Sequence, residues 1–522
     1  MKRKYIIIAI AVLVGAVVSS CTDFLDEEAK GTLTPTTFLK NEAEANLVLN
    51  GLQVRMTGPG NYGHCGTDIG TSGRDLIAGG WATYFYQHNV ATTSGTAGDW
   101  SKLYQGIRDV NLLIDGVNAS SVLSDEVKGS TIAQALFYRA VFYFELTTIW
   151  GDVPYWRDEI DMTVVAPLGT TEASIIQEEM IADLETAITS GYLSEKKWNE
   201  NGGRPTVWAA RMLKAHYHIW MEQWGDAITE LTEVTTNSPH PKVLPPYGEQ
   251  YKVGNELHDE VIFGREFLID VLGNGSFQFQ SHPNKNGENA NANAIFTDLG
   301  IFNSSSLYVE RWSFANSYDS ADLRKPYNCY TGDTLRTDST TTFEEFNWVY
   351  IPKLMGCALP NSDPLWPENM GKNQVQHPIR LFKISDAYLL LAEAEFMENG
   401  STSIALDAIN TVRTRAGLAD LGVLTLADIQ QERAWELPAE GFFGRKRDLI
   451  RWGILESTVM ALPQKERDAG AYSLGVTRAM DDSTQIANAP TGRYRVMPIN
   501  AEQISISEQI GGALEQTPIW VD

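Results

Sequence analysis

Cysteine is scarce, with four residues in 522. Three of them, Cys65, Cys329 and Cys357, are too few and too odd in number for a disulfide framework, and a chain this long buries a sizeable core without staples. No spacing among them suggests zinc. Long apolar runs are equally rare. The one at the start covers residues 5–18, about fourteen positions, short of the roughly twenty that a bilayer-spanning helix needs, so a transmembrane reading fails. Basic residues are outnumbered, 41 against 66 acidic ones, for a net charge of -25, which excludes nucleic acid as a partner. The sequence also lacks His-Glu-x-x-His, Gly-x-Ser-x-Gly, a phosphate loop and an Asp-x-Asp-x-Asp-Gly calcium loop. No catalytic residue, metal ligand or cofactor is therefore expected, and a structural calcium is left open with no motif to carry it.

What is present begins at the N-terminus. Lys2-Arg3-Lys4, the apolar stretch and Ser19-Ser20 have the layout of a secretory signal, so residues 1–20 are expected to be removed. That removal takes three positive charges, leaving 38 basic against 66 acidic residues and a net charge of -28. Cys21, preceded by small residues and followed by Thr22-Asp23, resembles the acylated cysteine of bacterial lipoproteins. Several acyl chains of the palmitate type on one cysteine would hold the body on a membrane, where one chain alone is marginal.

Helical periodicity dominates two separated regions, mainly 100–236 and 376–460. Ile132, Leu136, Ala140, Tyr143 and Thr147 share one stripe, Ile176, Met180, Leu184 and Ala187 another, and Val207, Ala210, Leu213, Tyr217 and Trp220 a third. Trp224-Gly225-Asp226-Ala227 breaks and restarts the pattern, so residues 205–236 read as a helical hairpin. A second hairpin runs from Leu381 through Ala394, stops at Gly400 and resumes through Ala405, Ile409 and Val412. Stacked hairpins with small contact residues predict a mostly α fold, a tetratricopeptide-like scaffold. Residues 58–98 and 237–375 lose the helical pattern and fill with Gly, Asn, Ser, Thr and aromatics, which predicts long irregular loops that form a ligand face. After the signal, residues 21–522 read as one body.

Several ordered landmarks carry a resemblance. Cys21 with Asp23-Phe24-Leu25-Asp26 comes first, then Trp100, Tyr104, Ile107 and Asn111, then Phe137-Tyr138-Arg139-Ala140 with Trp150-Gly151-Asp152-Val153-Pro154. Ile181-Ala182-Asp183-Leu184-Glu185, Gly203-Arg204, Ala392-Glu393-Ala394, Asn410, Arg413 and Arg415-Ala416-Gly417 follow. Glu432-Arg433, Glu440-Gly441, Asp448-Leu449-Ile450-Arg451-Trp452-Gly453 and Met497-Pro498-Ile499 close the series. In order and spacing this resembles the SusD/RagB family of outer-membrane nutrient-binding lipoproteins. Three departures stand out: Pro438 inside an expected helix, Asn500 where Pro is common, and Gln516-Thr517-Pro518 in place of Gln-Asn-Pro. The resemblance implies a lipid-anchored protein on the cell exterior that captures oligosaccharide or polysaccharide for a SusC-like TonB-dependent transporter. Peptide capture is the alternative ligand class, and a surface hydrolase the least favoured reading.

The chemistry-bearing side chains fit binding better than catalysis. Glu432, Glu436 and Glu440 are four apart and would share a helix face, but Arg413, Arg433, Arg445, Arg447 and Arg451 are near enough in sequence to make them a salt-bridge network. His216 and His218 are two apart and point to different faces, so they cannot chelate together. Trp and Tyr number 14 and 20, and such rings stack on sugars. Trp150, Trp208, Trp220, Trp224 and Trp452 fall on or beside helical stripes and read as packing. Local composition selects Asp68, Arg74, Trp81, Tyr84 and Asn89 in the first loop stretch, with Phe302 and Tyr308 in the second, as ligand-contacting candidates.

Overall fold

The computed structural model describes residues 39–56, 63–71, 97–158, 168–252, 255, 257–266, 309–329, 349, 351, 353, 378–471, 473–488 and 492–521. Cys21, Arg74, Trp81, Tyr84, Asn89, Phe302, Tyr308 and Cys357 lie outside the described residues. Helices dominate: α1 (Glu42–Arg55), α2 (Ala97–Ala119), α3 (Asp125–Trp150), α4 (Ala173–Thr189), α5 (Val207–Trp220) and α6 (Trp224–Asn237) precede two single turns, α7 (Trp312–Ala315) and α8 (Lys325–Asn328). Then come α9 (Ile384–Asn399), α10 (Ser403–Arg415), α11 (Leu426–Glu436), α12 (Gly444–Arg451), α13 (Leu455–Asp468), α14 (Ser473–Asn488) and α15 (Ala501–Gln509). None of the described helices is long and apolar enough to cross a membrane.

The helix α3 is the spine. Ser124 caps its start by accepting from the Val127 N–H at 3.3 Å, and Gly151, at φ 78°, turns the chain out of its end. Every residue from Ala133 to Trp150 is buried, so this helix is covered on all sides, and its buried charges, Arg139 and Glu145, are met by partners. The helices α1, α2 and α4 pack on it, α5 packs on α4, and α6 packs on α5. The stack then jumps a long stretch of sequence, because α6 packs on α9 and α9 on α10. The two helical regions read from periodicity are thus one continuous array, and small contact residues such as Ala209, Ala210, Ala387 and Ala392 let it close. Burying a ring such as Phe144 fully contributes about 1.5–3 kcal/mol, and Phe144 meets Tyr217, Phe442 and Phe443.

The jump is bridged by a two-stranded antiparallel sheet, β2 (Val261–Arg265) against β4 (Ile379–Lys383), with an irregular register around Phe263. A Cβ at Gly264 would lie 2.6 Å from the Ile379 carbonyl oxygen, so the close approach of the two strands requires glycine there. Helices also occur outside the spans predicted for the scaffold, at α1, most of α13, α14 and α15. The stripe Ala45, Leu49 and Leu52 that buries α1 was readable in the sequence. The middle region, expected to be irregular, contributes β2, α7, α8 and β3 (Val309–Glu310) among its described residues.

Two of the three sequence departures have local explanations. Asn500 caps α15, its side chain accepting from the Glu502 N–H at 2.8 Å. Pro438 ends α11 rather than kinking it: Leu437 is the C-cap and Ala439 turns at φ 58°. At the third, Gln516 clips the Ile499 backbone in both directions, at 2.9 and 2.7 Å, and Thr517 leaves that clip intact.

Candidate functional site

The predicted ligand-face stretches start from one place. The strand β1 (Gly70–Thr71) pairs antiparallel with β3, with Thr71 opposite Val309 and Gly70 opposite Glu310. In that register the chain after Thr71 and the chain before Val309 leave the ladder at the same end. The first leads toward Arg74, Trp81, Tyr84 and Asn89; the second ends in Phe302 and Tyr308. A third segment joins through the Glu310↔Val349 bridge, the Glu310 N–H donating to the Val349 carbonyl at 2.8 Å.

Each anchor is fixed by buried polar chemistry. The Arg311 backbone N–H donates to the Ile69 carbonyl at 3.0 Å, and its guanidinium donates to the Thr67 carbonyl at 2.6 Å and pairs with Asp482. Gly70 passes so close to the His64 ring that a Cβ would sit 2.3 Å from it, which is why this strand begins with glycine. Burial, aided by the Lys353 charge, lowers His64 to about 3, so the ring is neutral under the sheet. Burial pushes the Glu310 carboxyl well above the usual carboxylate range, and the Cys329 thiol donates to it at 3.1 Å. Cys65 and Cys329 are both buried free thiols.

Asp68 is the one candidate among the described residues. It is half-buried and forms a two-pronged ion pair with Arg445 of α12, at 2.8 and 2.7 Å. Burial would raise its carboxyl; the guanidinium outweighs that and holds it below the usual range. Both its oxygens are engaged by the scaffold, so Asp68 fastens the loop base to α12. Sequence composition selected Asp68 as a ligand contact and did not foresee this ion pair, and it missed Gly70, Glu310, Arg311 and Asp482 as parts of the loop base.

The carboxylates at 432, 436 and 440 form the floor below this base. They are indeed a salt-bridge network, but with other partners. Glu432 pairs with Arg324 at 2.6 Å and Arg413 at 3.0 Å; Glu436 pairs with Arg324, Lys383 and Arg415; Glu440 pairs with Lys353, Arg380 and Lys383. Of the five arginines expected from sequence proximity, Arg413 alone is used. Arg433 binds Asp386 and Asp448, Arg445 binds Asp68, Arg447 binds Glu145, and Arg451 binds Glu393 and Asp448. Glu440 does not share the helix face of the other two, because α11 stops at Glu436. All three carboxylates are saturated with cations, which leaves no acid–base pair free.

His216 contacts the Met212 carbonyl at 2.7 Å and His218 the Gln223 side chain at 2.7 Å, on different faces as expected. Among the described residues no group of three or more His, Cys, Asp or Glu side chains is placed to hold a metal ion. The landmark residues are structural: Arg139 joins Asp183 at 2.7 Å and Asn111 at 3.0 Å in one buried knot, and Trp452 donates to Glu393 at 2.7 Å.

Known proteins share this architecture. A family profile described as "SusD family" matches residues 333–520, and another described as "Starch-binding associating with outer membrane" matches residues 23–216. SusD-like protein P25 of Formosa agariphila is 27% identical over 492 residues, covering 85% of this chain and 89% of that one. A SusD-like protein of Bacteroides ovatus is 25% identical, covering 87% and 83%. Among solved structures, surface glycan-binding protein A from Bacteroides thetaiotaomicron superposes with a TM-score of 0.73 at 19% identity, over 92% of this chain and 100% of that one. The same protein in complex with laminarihexaose gives 0.70 at 19% identity, over 91% and 99%. With the landmarks, the helical array and both profiles in agreement, the chain belongs to the SusD/RagB family.

Proposed function

We propose that this protein is a non-enzymatic cell-surface lipoprotein that captures oligosaccharide and hands it to a SusC-like TonB-dependent transporter in the outer membrane. The observation that carries the reading is the β1–β3 ladder, which starts two aromatic-rich stretches side by side on a rigid base. Ligand sites on loops held by a rigid scaffold are the common arrangement for recognition, and a structural relative has been solved with laminarihexaose. Trp81, Tyr84 and Tyr308 supply rings that stack on sugars, and Arg74 and Asn89 supply donors for hydroxyls. A peptide site would lean on backbone hydrogen bonding along an extended ligand.

The test is a panel of neutral oligosaccharides and mixed peptides titrated against the purified protein, with product analysis after long incubation. We expect binding to at least one oligosaccharide and no turnover, with Trp81→Ala weakening that binding about tenfold, on the order of one stacked ring. Binding of peptides and of no glycan would replace the ligand class. Release of shortened sugars would make the protein a hydrolase.

A further inference from the structure

A cleft of about 510 Å³ opens on the helical scaffold, where the ends of α3 and α5 meet the starts of α4 and α6, the end of α12 and residues 495–496. Neither strand of the loop base lines it, and α12, which fastens that base through Arg445, reaches it only with its far end. Its volume lies inside the range of about 300–1,000 Å³ typical of small-molecule sites. Trp220, Trp224 and Trp452 line it, together with Gln177, Glu222 and Arg495. The three rings pack against the core, as their place on the helical stripes implies, and each is partly buried with an edge on the cleft.

Four features mark it as built to hold a ligand. The indole N–H groups of Trp220 and Trp224 make no hydrogen bond to a described residue and stand open to the cleft. Gln177 is 4% exposed; its amide N–H donates to Thr147 at 3.2 Å, while its carbonyl oxygen, on the cleft wall, has no partner among the described residues. Glu222 occupies the left-handed region at φ 57°, a conformation that glycine would adopt more cheaply and that places a carboxylate at the cleft wall. Arg495 and Glu222 form no ion pair among the described residues, whereas Arg451 is already neutralised by Glu393 and Asp448.

We infer that this cleft is a second ligand site, separate from the loop face, and that it takes a neutral pyranose unit. The inference rests on the glycan-binding reading and extends it to the scaffold. Flat indoles match the apolar faces of a sugar ring, and free indole N–H, amide oxygen, carboxylate and guanidinium match hydroxyls that donate and accept. Among the described residues of the cleft wall the charges of Arg495 and Glu222 balance, and a chain carrying a net charge of -25 disfavours an acidic sugar. Trp452 serves as a rigid wall, since the Arg451 and Arg445 guanidiniums stack on it at 4.6 and 5.5 Å and its N–H is held by Glu393.

The test uses the full-length chain in detergent, titrated calorimetrically with laminarihexaose, maltohexaose and cellohexaose. Trp224→Ala, Gln177→Ala and Glu222→Gly are compared with the loop variant Trp81→Ala. We expect Trp224→Ala and Gln177→Ala each to weaken one binding component about tenfold while leaving the other, which responds to Trp81→Ala. Glu222→Gly separates binding from folding: it relieves the left-handed strain, so it should raise Tm while lowering affinity at the cleft. Unchanged affinity in all three cleft variants, with loss in Trp81→Ala, overturns the second site and leaves the glycan reading standing, even if the cleft variants lose a protein partner instead. Absence of binding to every hexasaccharide by the unaltered chain overturns both.

Discussion

Glu436 has a counter-charge on every side. Burial alone would raise its carboxyl, but Arg415, Lys383 and Arg324 hold it at about 2, and Arg433 with His216 likewise holds Asp386 at about 2 against the cost of burial. Replacing one carboxylate leaves its cations buried without a counter-charge, so we predict that Glu436→Gln costs about 3–5 kcal/mol in urea unfolding. A loss below one kcal/mol would show that water reaches the network. The same groups set the response to acid. Glu436 and Asp386 each have a folded value below the unfolded one, so their contribution is complete above about 4.5 and is lost as pH falls toward 2, while Glu260, Glu310 and Asp482, raised by burial, oppose it. His64 and His240 are lowered by burial to about 3 and about 4, so between pH 6.5 and those values the unfolded chain takes up protons that the folded chain refuses. The lowered carboxylates and the lowered histidines act with the same sign. We predict a urea midpoint that declines from about pH 6.5 downward and more steeply below about 4.5, with His240→Gln flattening the upper arm. A midpoint constant from pH 7.5 to 4.5 would contradict the burial of these rings.

At the scale of elements, the packing stripes were legible because a helix that buries one face must repeat its apolar residues every three to four positions. The stop at Gly400, the hairpin at 205–236 and the ending of α11 at Pro438 follow from the same local rules. Partner choice in the ionic floor was not legible. Neighbours in sequence such as Glu432 and Arg433 point about 100° apart on a helix, and the cations that reach Glu436 come from residues 324, 383 and 415, whose positions depend on how distant segments dock. The ladder between β1 and β3 is two residues long and hundreds of positions apart in sequence, too short for any periodicity. What fixes its docking is Gly444, at φ 64°, where a Cβ would lie 2.7 Å from the Gly63 backbone. Left-handed strain and a backbone collision combine there, so we predict that Gly444→Ala destabilises by about 2–4 kcal/mol. It should also weaken oligosaccharide binding, by pushing the base of the first loop stretch off α12. Loss of stability with binding intact would mean that the loop face is not supported from this base.

For the whole molecule, the question is how a body with a net charge of -25 stays at a membrane. No described helix is long and apolar enough to cross a bilayer, and the proposed function offers two routes of attachment, an acylated Cys21 and a transporter. The two are separable. Cys21 lies outside the described residues, and the described body begins at Leu39 with its own core, α1 packing on α2 and α3. We predict that Cys21→Ala shifts the protein from the detergent phase to the aqueous phase without changing its Tm, as the proposed single acylation site requires. A pull-down of the lipidated chain after gentle detergent extraction should recover a TonB-dependent transporter. If transporter docking rather than lipid provides attachment, the Cys21→Ala chain will stay with membranes in cells that contain the transporter and be released where the transporter is deleted. If lipid provides it, release will occur in both. Retention in the detergent phase by purified Cys21→Ala protein from which residues 1–20 have been removed, with no other protein present, would reject the anchor.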